Sequence, residues 1–299
     1  MLKIENTQVM GWEHAIRGMR NPMNSWDKSD SYRSDCCGRI GCEGCEYWDD
    51  GCTDTSPFPY VLGPNDLKLM SDLRNAGTDH RKFMRMITVY LDITAPLYWW
   101  KEYDTYKVGT VANSCSTMHK IHDKEFTLDD FSCEHLIDSP IDEVDAETFI
   151  INELDVLEKC KVENHLLAMG NERGYISFED EADFVAYYSP KDILECFIIP
   201  ALNANRQAYL SAKTRPMKDN SQRERVMKRY WWQMIQLLPS SYNQKRTVML
   251  NYEVLANMYK SRRNHKLTEW HTFCDWIESL PYSELITGKV KGENNERTV

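Results

Sequence analysis

Apolar residues recur at helical spacing along most of this chain and alternate over two short stretches. Trp12-Glu-His-Ala-Ile-Arg-Gly-Met reads as a short first helix. Gly63-Pro-Asn-Asp opens a second, with Asn65 or Asp66 as its cap and Gly77 as its end. Inside it Leu67, Leu69, Met70 and Leu73 repeat every three or four residues. Met86 to Thr94 alternates and is β-branched, which predicts a strand. Pro96 suits a first helical turn, so Leu97 to Tyr103 reads as a helix. Periodicity disappears over 105–119, a small, hydroxyl-rich stretch with the composition of a ligand-contacting loop.

Further on, a helix is expected from about Ser139-Pro140. Another runs through Pro190 to Phe197, with Pro200 kinking or breaking it. Residues 221–238 form a helix with Val226, Tyr230, Met234 and Leu237 on one face, ended by Pro239-Ser-Ser-Tyr. Arg246 to Leu250 is a short strand, Tyr252 to Arg262 a helix, and Thr268 to Leu280 the last helix. The pattern predicts a helix-rich α+β fold with a small mixed or antiparallel sheet and no βαβ alternation. It reads as one domain over 1–287, with a Cys-rich insertion at 34–57, an acidic helical insertion at 123–185, and a disordered tail at 288–299.

Composition narrows the class. At 42% apolar, with 9 Trp and 16 Tyr, the chain is too apolar to be disordered. No run approaches the ~20 apolar residues of a membrane helix, and Met1-Leu-Lys-Ile-Glu lacks a signal peptide's apolar core. A cytoplasmic protein is expected, with no membrane partner. The formal charge of −10 hides a split: 123–183 carries 19 acidic and 4 basic residues, whereas 201–270 carries 14 basic and 4 acidic. The second region can hold anions that the average charge would repel.

Five of the ten cysteines are Cys36, Cys37, Cys42, Cys45 and Cys52. Cys37, Cys42, Cys45 and Cys52 could supply four thiolates to a structural zinc, with glycines letting the loop wrap the metal. A reduced surface loop is the other reading, because only one C-x-x-C is present. Glycine-rich phosphate loops, a Rossmann fingerprint, G-x-S-x-G and H-E-x-x-H are all absent.

Residues 237–273 concentrate the candidate chemistry. Asn251 opens a helix and can cap it, while Asn257 and Arg262 lie further along it. A carboxamide offers a donor and an acceptor, which suits the imide edge of a heteroaromatic ring. A neighbouring arginine suits an anion or a carbonyl. Residue types alone favour the plainer reading of a capping Asn, a surface Asn and a solvated Arg.

The stretch resembles the C-terminal signature of the flavin-dependent thymidylate synthases. That family has a Leu-Pro, an Asn twelve residues on, a second Asn six later and an Arg five later. Pro239, Asn251, Asn257 and Arg262 keep those intervals, and Glu269-Trp270 stands where the family has Gln-Trp. His80 precedes Ala95-Pro96 by fifteen residues, as the family's His precedes its Ala-Pro. The resemblance covers residues 64–119 and 190–285. It departs at the family's Arg-His-Arg, which falls on Thr105-Tyr106-Lys107, and at a Gln that becomes Glu102. The Arg before Leu-Pro, which grips the nucleotide phosphate in the family, falls on Ile235; Lys245 or Arg246 is the available substitute.

The resemblance implies a homotetramer with FAD at subunit interfaces. It would convert dUMP to dTMP with methylenetetrahydrofolate and NADPH. It puts Arg262 in the catalytic role and His80, Lys107, Asn251 and Asn257 on the cofactor. Glu102, Asn113, Ser114, Cys115 and Ser116 fall on the substrate, and nucleic acid has no part. Two readings remain beside it: a flavin enzyme of the same fold acting on another pyrimidine nucleotide, and a non-catalytic, zinc-stabilised nucleic-acid-binding protein using Arg225, Lys228, Arg229, Tyr230 and Trp231.

Overall fold

A computed structural model describes residues 2–33, 60–137, 176–177, 185–186 and 189–289. The Cys-rich stretch with Cys36, Cys37, Cys42, Cys45 and Cys52, the expected helix near Ser139 and the tail from 290 lie outside these residues. The fold is helix-rich α+β with a small antiparallel sheet. The chain divides into two compact units. One comprises Ala95–Tyr98 and Cys115–Gln244; the other comprises Leu2–Thr94, Trp99–Ser114 and Lys245–Val299.

The second unit is built on the sheet. Its strands are β1 (Lys3–Met10), β2 (Thr88–Pro96), β3 (Val111–Ser114) and β4 (Asn243–Asn251), in the order β1–β2–β4–β3. β1 runs antiparallel to β2, and β3 antiparallel to β4. Strand alternation sets the two faces. Val89, Leu91 and Ile93 of β2 and Val248 and Leu250 of β4 are buried. The opposite face is polar: Thr247 donates to Asp92 at 2.6 Å, and Lys245 lies 3.3 Å from both Glu5 and Asp92. β3 occupies part of the stretch expected to be a loop. It is an edge strand with all four residues exposed, so no apolar alternation marked it.

Helices and a 3₁₀ segment, Arg81–Arg85, belong to the rest of this unit. The helices are α1 (Trp12–Arg20), α2 (Pro64–Asn75), α3 (Leu97–Tyr103), which begins in the other unit, α6 (Tyr252–Arg262), α7 (Thr268–Ser279) and α8 (Glu284–Thr287). α7 buries Trp270, Phe273, Cys274 and Ile277, the stripe its spacing predicts. It is not the last helix, because α8 follows; four residues are too few to show a period.

The expected cap of α2 is also corrected. Neither Asn65 nor Asp66 caps it. The Asp30 carboxylate accepts from their backbone N–H groups at 2.8 and 3.0 Å. Gly63 permits that approach, since a Cβ there would lie 2.2 Å from the Asp30 carboxyl carbon. Asp66 is instead fully buried and accepts from Arg20, Ser29 and Ser31, each at 2.7 Å.

The first unit holds α4 (Ile199–Thr214) and α5 (Asn220–Leu237), which pack together. Its core gathers Ile121, Phe126, Phe131, Leu194, Leu202 and Met234. Of the predicted face of α5, Met234 is fully buried, while Leu237 is exposed. The segment before Pro200 neither ends nor starts afresh: Pro190–Asp192 is α-helical, Ile193–Ile198 is a π-turn, and α4 continues from it. In an α-helix the Pro200 ring would meet the carbonyl of Cys196; the wider π-turn gives it room.

Candidate functional site

The sequence after α3 and the sequence after α6 meet around one guanidinium. α3 is anchored by Trp99, Trp100 and Tyr103, all buried, which turns Glu102 toward the end of α6. Arg262, the last residue of α6, is 17% exposed. One of its terminal nitrogens, Nη1, bonds the Glu102 carboxylate, and its Nε donates to the Tyr106 hydroxyl at 2.9 Å. The guanidinium lies 4.8 Å from the Trp270 ring centroid and 5.5 Å from that of Tyr106. Two aromatic rings and a carboxylate thus fix its plane.

Glu102 has a second donor. His265 Nε2 lies 3.1 Å from the oxygen, Oε2, that Arg262 uses. His265 Nδ1 accepts from the Leu267 N–H at 3.1 Å, which assigns the neutral ring with its proton on Nε2. Among the described residues Arg262 keeps Nη2, and Glu102 keeps Oε1, without a protein partner. A donor and an acceptor therefore stand side by side at the rim of an aromatic cluster. That pairing suits a flat heterocycle with adjacent N–H and C=O groups.

The other predicted residues fall into three places. Asn251 caps α6: its Oδ1 accepts from the Val254 N–H at 3.0 Å. Gly109, at φ +77°, packs on it, and a Cβ there would lie 2.8 Å from Asn251 Nδ2. Asn257 is exposed on α6 and accepts from Arg81 at 3.3 Å. Arg81 and Arg85 both bond the buried Glu253, and the exposed His80 precedes Arg81 in the chain. Lys107, Asn113, Ser114, Cys115 and Ser116 are all exposed. Asn113 and Ser114 pair in register with Thr247 and Arg246 on β4. Ser116 Oγ caps a single helical turn, Thr117–Lys120, and the Cys115 carbonyl accepts from Gln244 at 3.0 Å.

The structure thus joins Glu102 to Arg262 and places Asn257 beside Arg81, but it keeps those two groups apart on α6. Positions 257 and 262 are five residues apart, about 140° around a helix. The two substitute cations are already engaged. Lys245 pairs with Glu5 and Asp92, whose hydrogen bonds hold its ammonium pKa above the ordinary value. Arg246 pairs with Asp104 at 2.7 Å and lies 4.1 Å from the Trp100 ring centroid.

Sequence reasoning missed Tyr106, His265 and the role of Trp270 around Arg262, and Arg81, Arg85 and Glu253 beside Asn257. The run His80-Arg-Lys-Phe-Met-Arg85 was a legible basic signal; the others differ from ordinary helix residues only in what they touch. A cleft of about 970 Å³ in the same unit is lined by Gln8, Met10, Trp12, Arg33, Tyr60 and others, and none of the predicted site residues borders it. No cluster of three or more His, Cys, Asp or Glu suited to a metal occurs among the described residues.

No protein-family model matches the chain, and no curated protein matches it in sequence. Among solved structures it is similar to a thymidylate synthase X from Helicobacter pylori, crystallised with FAD and dUMP. Identity is 13%, the match covers 96% of this chain and 98% of that one, and the TM-score is 0.47. A second crystal structure of that enzyme with FAD and dUMP covers 97% and 100% at the same identity and TM-score. A UMP/dUMP methylase, PolB, from Streptomyces cacaoi, bound to 5-Br dUMP, gives 13% identity and a TM-score of 0.39 over 93% and 89%.

Proposed function

We propose that this chain is a flavin-dependent enzyme of the thymidylate synthase type, converting dUMP to dTMP with methylenetetrahydrofolate and NADPH in the cytoplasm. The observation that carries this reading is the contact between Glu102 and Arg262. The two residues are 160 positions apart, and the two motif stretches that resemble the family contain one each. A chance match of intervals gives no reason for these stretches to touch.

The donor set suits a flavin dinucleotide. His80, Arg81 and the exposed Asn257 offer cationic and carboxamide groups on one flank of α6. Asn251 contributes less than the resemblance implies, since its oxygen is spent on the helix cap. Bound FAD would supply the redox chemistry that no side chain has. The chain's own part is positioning. Arg262 donates from Nη2 to a ring carbonyl, Glu102 and Tyr106 hold that guanidinium in place, and Trp270 sets its plane. Asn257 and Arg262 point to different sides of α6, so each flank meets a ligand separately. A homotetramer with ligands between chains, as the resemblance implies, reconciles the two.

A second reading has a specific basis. Tyr106 is spent on Arg262, while Lys245 and Arg246 are spent on carboxylates, so the expected phosphate-gripping cation is not at hand. Those altered phosphate-contacting positions motivate a flavin enzyme of the same fold that acts on another pyrimidine nucleotide, its phosphate held by other groups. The purified chain is expected to be yellow with a flavin spectrum and to release tritium from 5-tritiated dUMP. A flavin spectrum with release only from another 5-tritiated pyrimidine nucleotide selects the second reading. A colourless protein that takes up no flavin ends both.

A further inference from the structure

We propose that the exposed face of α5 is a docking surface for single-stranded nucleic acid, which it holds by the phosphates and by one stacked base. This goes beyond the flavin reading and does not depend on it. The end of α4, the turn after it and α5 concentrate positive charge. From Lys213 to Arg229 there are seven basic residues and two acidic ones, in a chain whose net charge is −10. Asp219, one of the two, is spent as the cap of α5, where it accepts from the Gln222 N–H at 2.7 Å. The other is Glu224.

Helical spacing gathers part of this charge on one face. Arg225, Lys228, Arg229, Trp232 and Gln236 fall within about 100° of one another around the axis of α5. All five are exposed. The opposite side of α5 meets the core of its unit through the fully buried Met234, with Trp231 and Ile235 packed beside it. Arg225, Lys228 and Arg229 have no carboxylate partner among the described residues. Arg225 and Arg229 stand one turn apart, where like charges destabilise a helix. A polyanion laid along this face removes that repulsion, and its phosphates release counterions as the cations neutralise them.

Trp232 says which polyanion. Its neighbour Trp231 is pinned, since Nε1 donates to the Met118 carbonyl at 2.8 Å. The Trp232 ring stands edge-on to that of Trp231, with centroids 4.8 Å apart at 69°. It is nevertheless 42% exposed. A held, exposed ring among cations offers a base its face, the arrangement that binds single strands without regard to sequence. A duplex keeps its bases stacked inside and has none to offer. An anionic membrane would call for an apolar stripe, and Trp232 is the one large apolar residue among these five.

The test is fluorescence anisotropy of the full chain with labelled oligodeoxythymidylate and, in parallel, oligouridylate, between about 50 and 200 mM salt. Either strand binding more tightly than a DNA duplex supports the proposal, and the tighter of the two identifies the source. The three cations of the face should give a slope of log affinity on log salt of about −2, and Arg225→Gln or Arg229→Gln should make it shallower by about 0.7. Trp232→Ala should weaken binding about tenfold and leave the slope unchanged. The two glutamine variants, at exposed positions, carry the test should Trp232→Ala fail to fold. No binding at low salt, an affinity unmoved by both glutamine variants, or a duplex bound as tightly as the single strands overturns the assignment. So does equal binding of heparin or of phosphatidylserine vesicles with Trp232→Ala without effect, because any polyanion then suffices. A parent chain without a flavin spectrum counts against the flavin reading alone.

Discussion

Arg262 shows how much a side chain's surroundings decide. A solvated arginine at a helix end is ordinary, but this one is clamped by Glu102 and Tyr106 and stacked on Trp270. A flat, delocalised cation fits that slot and a lysine ammonium does not. Arg262→Ala is expected to lower turnover about 10²–10³-fold, with Arg262→Lys giving little rescue, as steady-state kinetics would show. Activity retained in Arg262→Ala would remove the residue from the mechanism. The cysteines separate in the same way. Burial pushes the Cys274 thiol up to about 11, whereas Cys115 is exposed. At pH 8 roughly one Cys274 thiol in a thousand is ionised. Alkylation mapped by peptide mass is expected to mark Cys115 long before Cys274. Asp66 carries a pH signature. Burial raises its pKa, but hydrogen bonds from Ser29, Ser31 and Arg20 outweigh that and hold the carboxyl below the ordinary range. A depressed carboxylate contributes stability that is full above about pH 4, its unfolded value, and lost as pH falls through the folded value. Asp66→Asn is expected to cost about 3–5 kcal/mol near neutral pH and progressively less in acid, measured by urea titration at several pH values. A cost independent of pH would contradict the ion pair.

Among the elements, α6 carries both candidate flanks and begins at a residue with two possible jobs. Asn251 caps it, with Gly109 packed against the carboxamide. Asn251→Ala is expected to cost about 1 kcal/mol, seen as a lower melting temperature, while Asn251→Asp keeps the cap and restores the loss. If flavin affinity returns with the melting temperature in Asn251→Asp, the residue acts through the helix; if it does not, the carboxamide itself meets the ligand. Apolar spacing located α6, α7 and β2 because their buried faces repeat over three turns or five alternations. It passed over β3 and α8, which are too short or too exposed to show a period. It put the α2 cap within the helix because a cap is normally local, whereas here Asp30 arrives from an earlier part of the chain.

Over the whole molecule, each unit has its own core. In the first, Leu202 and Met234 are fully buried between α4 and α5. Leu202→Ala is expected to lower unfolding free energy by about 2–5 kcal/mol in urea, the usual cost of a cavity at a packed leucine. A negligible effect would mean that this core closes around the gap.

The sequence by itself determined the class of fold, the places of the principal helices and of β2, and the candidates Glu102, Asn257 and Arg262. These follow from side-chain periodicity and from intervals, both local properties of the chain. Tertiary structure alone decided that Glu102 would meet Arg262, that Lys245 and Arg246 would be spent on carboxylates, and that Arg81 and Arg85 would share Glu253. Each of those facts pairs residues more than a hundred positions apart. Such partners are chosen by packing and by the need to satisfy buried charge, and no local pattern encodes them.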